Sequence, residues 1–193
     1  MDLRFLYHRT RYFIISPVKA WEVVHRENRP IKYVRGSFFM PLITLVSVSS
    51  FFGSLFFINN TLEPMYSVLV TVNTFIFLYL GVYASSYIVT EITKALDLGG
   101  DFVVSFKLVA YSLAPLFLSL TISRLFESML FLNILSLYGL YIFWIGMETM
   151  MNPPEHKKLP MVIATVISMI IIIGILQIVL SKLTETIYFA FFA

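Results

Sequence analysis

Four uncharged apolar windows constrain this chain more than anything else in it. Residues 36–58, 65–89, 129–147 and 159–180 carry no Asp, Glu, Lys or Arg and are rich in Leu, Ile, Val and Phe. A helix needs about 20 such residues to cross a hydrocarbon layer. None of the windows alternates with period two, which disfavours a β-barrel. Composition agrees: only 13% of residues are charged and 59% are hydrophobic, whereas a soluble domain carries roughly 25% charged residues. A chain with so little polar surface is predicted to be an all-α polytopic membrane protein.

A fifth span is predicted over about 102–122. The uncharged run between Lys107 and Arg124 is short. If Lys107 extends its stem toward the headgroups, the helix reaches full length. The alternative is a re-entrant pair that does not cross. Pro115 sits mid-way and lacks the N–H that a continuous helix would use, so a kink is expected there. Residues 123–128 then form a tight connection to the fourth span.

Charge placement orients the bundle. Of the 14 Lys and Arg, eight precede residue 36 and two sit in each of 90–107 and 148–158, while Arg124 and Lys182 fall on the opposite side. A ratio of 12 to 2 places the N-terminus in the cytoplasm and the C-terminus outside. No cleaved signal peptide is expected, because Tyr12-Phe13-Ile14-Ile15 is too short an apolar run.

The chain therefore divides into a basic cytoplasmic segment, 1–35, and a five-span domain, 36–193. Within the first, Ser16 and Pro17 suit the N-cap and first position of a short helix, and Pro30 marks its stop. Val18, Trp21 and Val24 recur along it. Two placements follow: a helix lying in the interface with Trp21 as headgroup-level anchor, or a helix packed on the cytoplasmic ends of the bundle.

Polar residues at the inner ends of the spans are the candidates for function. Glu91, Lys107, Tyr111 and Glu148 could converge on an inner mouth. Lys107 and Tyr111 are four apart and share a helix face with Ala114, and a Lys107–Glu91 pair is expected. The plainer reading is that these are boundary charges. Asn73, Asn133 and Gln177 suit bonds across helices. Ser49 and Gly53, Ser50 and Ser54, Gly81 and Ser85, and Ala110 and Ala114 give small faces for close helix approach. Asn59-Asn60-Thr61 matches a glycosylation sequon, most simply by chance.

Catalytic signatures are missing. His8, His25 and His156 have no spaced partner ligand, there is no phosphate-binding glycine loop, and Gly-x-Ser-x-Gly is lacking. No enzyme activity, cofactor, metal or nucleic-acid partner is expected. Membrane lipids are the expected partners, with other membrane proteins or a second copy beside them. Two functions fit: a non-enzymatic scaffold or assembly and trafficking factor, or a small transporter, channel or lipid-translocating protein. A dry interior would favour the first and a polar tunnel the second.

The chain resembles the Yip1 family of multi-span membrane proteins. The matching features are Ser16-Pro17 before Ala20-Trp21, Pro41 early in the first span, and the stretch Lys107-Leu108-Val109-Ala110-Tyr111-Ser112-Leu113-Ala114-Pro115. Leu137-Tyr138, Gly146 and Pro153-Pro154 continue it. The resemblance implies five spans and a cytoplasmic N-terminus. It also implies a trafficking-type role, since eukaryotic members associate with small GTPases and have long cytoplasmic N-terminal regions. Residues 1–35 are short and basic by comparison, which weighs against a small-GTPase partner and toward the compact prokaryotic branch, so that the resemblance implies a prokaryotic cytoplasmic membrane.

Overall fold

The structure is a computed structural model and describes residues 3–58 and 64–191; the Asn59 sequon lies outside them. Every element among the described residues is helical. Helices α1 (Leu3–Ile15) and α2 (Pro17–Glu27) form a hairpin. Helix α3 (Ile31–Phe56) follows, then α4 (Pro64–Ala95), the pair α5 (Phe102–Ser112) and α6 (Ala114–Leu125), α7 (Ser128–Met151) and α8 (Glu155–Ala190). Helices α3, α4, α7 and α8 are each long and apolar enough to cross a membrane, and the α5–α6 pair makes up to five.

Local chemistry explains the breaks. Pro17 opens α2, as its missing N–H requires no partner there, while Ser16 holds the cap position without a side-chain capping bond. Asn28 closes α2 in the left-handed region at φ 37°, a conformation that Asn tolerates well, and its N–H returns to the Val24 carbonyl. The Pro30 carbonyl then accepts from Tyr33 and Val34, starting α3. The expected boundary at residue 35 thus falls inside a helix. A π-helical turn at Arg35–Phe39 precedes Pro41 and lets α3 continue past it.

Pro115 acts as expected. The helix breaks at Leu113, and α5 and α6 are bent by 44°. They continue forward rather than folding back. Tyr111 of α5 packs on Phe38 of α3, and a Cβ on Gly53 of α3 would lie 1.8 Å from the Arg124 carbonyl oxygen of α6. The pair follows α3 from residue 38 to residue 53, roughly 22 Å at helical rise. A 3₁₀ helix, Glu127–Leu137, leads into α7 and forms its first part before an α-helical Tyr138–Met151.

The hairpin is the feature that the charge pattern concealed. Helix α1 runs into the bundle. Phe5 packs on Tyr33 near the start of α3, Phe13 stacks on Tyr111, and the Ile14 carbonyl accepts from the Tyr138 hydroxyl at 3.0 Å. Helix α2 returns from that depth. Charges at Arg35, Glu91, Lys107, Glu148 and Lys158 mark one boundary of the apolar layer. Leu45, beside the hairpin tip, lies nine residues past Gly36, roughly 14 Å inside that boundary. The tip therefore lies within the apolar layer, between Tyr111 of α5 and Leu45 of α3.

Candidate functional site

The hairpin docks through an aromatic cluster. Phe13, Trp21, Phe38 and Tyr111 are buried, with ring centroids 4.6–5.9 Å apart in stacked, tilted and edge-on pairs. Such offset and edge geometries are the favourable ones. Trp21 also donates its indole N–H to the Ile142 carbonyl of α7 at 2.9 Å. Gly146 of α7 makes room for it: a Cβ there would sit 2.4 Å from Trp21 Cε2 and 2.6 Å from Leu108 Cδ1.

Trp21 is consequently not an interfacial anchor. It is 0% exposed, and of the two placements for its helix the packed one is found, at a depth beyond the span ends. The physical reason is that Pro17, Ala20, Trp21 and Val24 form one stripe that finds a partner in α7. Lipid offers the indole N–H no acceptor as well oriented as the Ile142 carbonyl.

The inner-mouth residues separate into a buried pair and two surface carboxylates. Lys107 and Tyr111 share an inward face with Ala114, and all three are buried. Lys107 Nζ donates to Asn28 Oδ1 at 3.2 Å, at the C-terminal end of α2, where the helix dipole also favours a cation. Glu91 instead accepts from Lys94 one turn along its own helix at 2.8 Å. Glu148 accepts from Lys158 at 2.9 Å. The expected Lys107–Glu91 pair is not formed, and the four residues do not converge on one site. A neighbour within the helix satisfies Glu91 at less cost in chain entropy than a distant one.

An ionic corner lies at the base of the hairpin instead. Arg9, which is buried, and Arg29 both donate to Oε2 of Glu27. Arg29 also rests over the Tyr33 and Phe5 rings at 4.4 and 4.9 Å. Burial works against the Arg29 charge, but the hydrogen bond and charge of Glu27 and the neighbouring Tyr33 outweigh it and raise its pKa. A groove of about 550 Å³ opens here between α1 and α2. Sequence reasoning missed it because α1 was not expected. The available signal was Phe5, Arg9 and Phe13 at four-residue spacing, one helical stripe hidden among charges.

Elsewhere the polar groups within the spans serve packing. Hydroxyls of Ser47, Ser86, Thr90 and Thr93 bond carbonyls of their own helices. Asn73 bridges α4 to the Leu180 carbonyl and Thr184 of α8, and Ser123 donates to Asn133. Of the small pairs, Gly53, Ser49, Ser50, Ser54, Ala110 and Ala114 are buried, whereas a Cβ on Gly81 would meet nothing within 4 Å.

A helical bundle with long apolar spans and a hairpin built into one half is the class of protein this arrangement defines. The chain belongs to the Yip1 domain family, whose sequence profile matches residues 11–176 of its 193. The matched region takes in α2, its aromatic dock and most of α8. No curated protein and no solved structure matches the chain.

Proposed function

We propose that the chain is a non-enzymatic scaffold or assembly and trafficking-type factor. In this reading it crosses a prokaryotic cytoplasmic membrane five times, with its basic hairpin entering from the cytoplasmic side. The observation that carries the proposal is the dry packing around the hairpin; a separate polar pocket of about 220 Å³, lined by Asn73, Arg124, Gln177 and Glu185, lies between α4, α6 and α8. The hairpin fills the space between α3, α5, α6 and α7 with aromatic side chains, and the crevice between α5, α7 and α8 holds only about 50 Å³. The hydroxyls of Ser47, Ser86 and Thr90 bond carbonyls of their own helices. A rigid bundle that leaves α8 uncovered suits holding other membrane components in place.

Reconstituted vesicles test this. Ion flux and lipid translocation should stay at the protein-free level, while crosslinking in native membranes should capture a stoichiometric membrane-protein neighbour through α8. Flux above background that Trp21→Ala abolishes would replace the scaffold with a transporter. Reporters after Ala193 and within 152–158 should face opposite sides, given the 12-to-2 basic bias; both facing one side would end the five-span topology.

A further inference from the structure

We infer that the α1–α2 hairpin binds an anionic phospholipid from the leaflet it penetrates, with Arg11 holding the phosphate and a neighbouring apolar groove holding one acyl chain. Two grooves flank α1. The first, of about 550 Å³, lies between α1 and α2 and is lined by His8, Arg9, Arg11, Glu27 and Arg29. The second, of about 460 Å³, lies between α1, α3 and α6 and is lined by Leu6, Ile14, Leu42, Leu45 and Leu118. Arg11 and Ile15 border both.

Charge in the first groove is unbalanced. Three guanidiniums face one carboxylate, and Glu27 is already shared by Arg9 and Arg29. Arg11 is exposed and has no carboxylate within 4.0 Å among the described residues. Arg11 lies one turn before the hairpin tip, on the side of α1 that borders the apolar groove against α3. A guanidinium on a lipid-facing surface must reach to the headgroups or draw an anion to itself. A phosphodiester satisfies its planar fork with two parallel bonds. The second groove shares Arg11 with the first and runs along leucine and isoleucine side chains, which matches an acyl chain attached to that phosphate. Free phosphate would use the first groove only.

The test uses the full chain purified in mild detergent. Phosphatidylglycerol, phosphatidylcholine or inorganic phosphate is added, bound lipid is read by native mass spectrometry, and thermal stability is followed in parallel. Phosphatidylglycerol should be retained in preference to phosphatidylcholine and should raise the melting temperature more. Arg11→Gln should cut that preference about fivefold, the weight of one cation near an anionic surface. Leu45→Trp, which fills the apolar groove at a half-exposed position, should weaken phosphatidylglycerol retention while Arg11 is intact. Equal retention of both lipids, an unchanged preference in Arg11→Gln, or undiminished retention in Leu45→Trp would overturn the inference. An equal thermal shift with inorganic phosphate alone would reassign the site to a free anion and overturn it as well.

Discussion

Helices α3 and α8 are both long apolar spans, yet 61% of the apolar window of α3 is buried in the protein against 6% of that of α8. Helix α8 is the more apolar of the two. In water this order would be reversed, because the most apolar element would seek the core. In lipid the tails accept Ile163, Ile167, Ile170 and Ile175 as readily as a protein interior does, so hydrophobicity does not drive α8 inward. What draws helices together is shape and polarity: Gly53 against the Arg124 carbonyl, Ser54 bonded to Ser67, and Trp21 seated on Gly146. The basic hairpin, the least apolar part of the chain, is therefore held in the bundle by Phe13, Ala20, Trp21 and Val24, all of them buried.

The contrast can be broken most forcefully at Trp21. Trp21→Ala should cost about 3–5 kcal/mol in reversible unfolding in mixed micelles, the usual loss for a buried large aromatic. A cost under about 1 kcal/mol, the range of an exposed surface residue, would mean that the hairpin is only loosely attached. In a Trp144→Phe background, Trp21 fluorescence should resist quenching by aqueous iodide and by shallow lipid probes alike; quenching by the lipid probes would return the helix to the interface.

Gly146→Ala is the next largest effect. Its Cβ would lie 2.4 and 2.5 Å from two indole carbons, and overpacking of this kind costs about 1–3 kcal/mol. Replacing Trp21 with Leu in the same chain should relieve part of the loss, since the clash is with the indole. Two independent penalties would show that the two residues are not in contact.

A smaller effect is expected at the base of the hairpin. A double-mutant cycle of Lys107→Met with Asn28→Ala should give a coupling of about 0.5–1.5 kcal/mol, the ordinary net worth of a hydrogen bond whose acceptor is partly solvated. The cycle of Lys107→Met with Glu91→Gln should be additive within about 0.3–0.5 kcal/mol. Coupling in the second cycle and none in the first would restore the pairing that charge placement alone suggests.

The smallest effect belongs to α8. Gly174→Ala meets nothing within 4 Å and should leave stability unchanged or raise it by up to about 1 kcal/mol through helix propensity. A loss comparable to that of Gly146→Ala would show that α8 is covered by protein even in micelles, as a self-associating chain would require.

Much of this fold can be read from the order of residues. Each uncharged window falls on one of the four long apolar helices, Pro115 places the bend, and Pro17 places the start of α2, because each rests on a local property: chain length against membrane thickness, or a missing backbone donor. The inward face of Lys107, Tyr111 and Ala114 was equally legible from spacing of three and four. The partners on that face were not. Asn28 lies 79 residues from Lys107, and Ile142 lies 121 from Trp21; no local rule selects such contacts.

By itself the sequence determined that the chain is helical, that it lies in a membrane, and which end of the bundle carries the basic charge. Those are solvation questions, and each residue answers them nearly alone by its preference for lipid or water. Only the tertiary structure decided that residues 3–27 enter the bundle, that Trp21 is core, and that Glu91 and Glu148 turn to neighbouring lysines. Apolar burial gains little between helices already in lipid, so these choices rest on complementary shapes and on backbone carbonyls within reach of a donor. Both come into being only when distant segments meet.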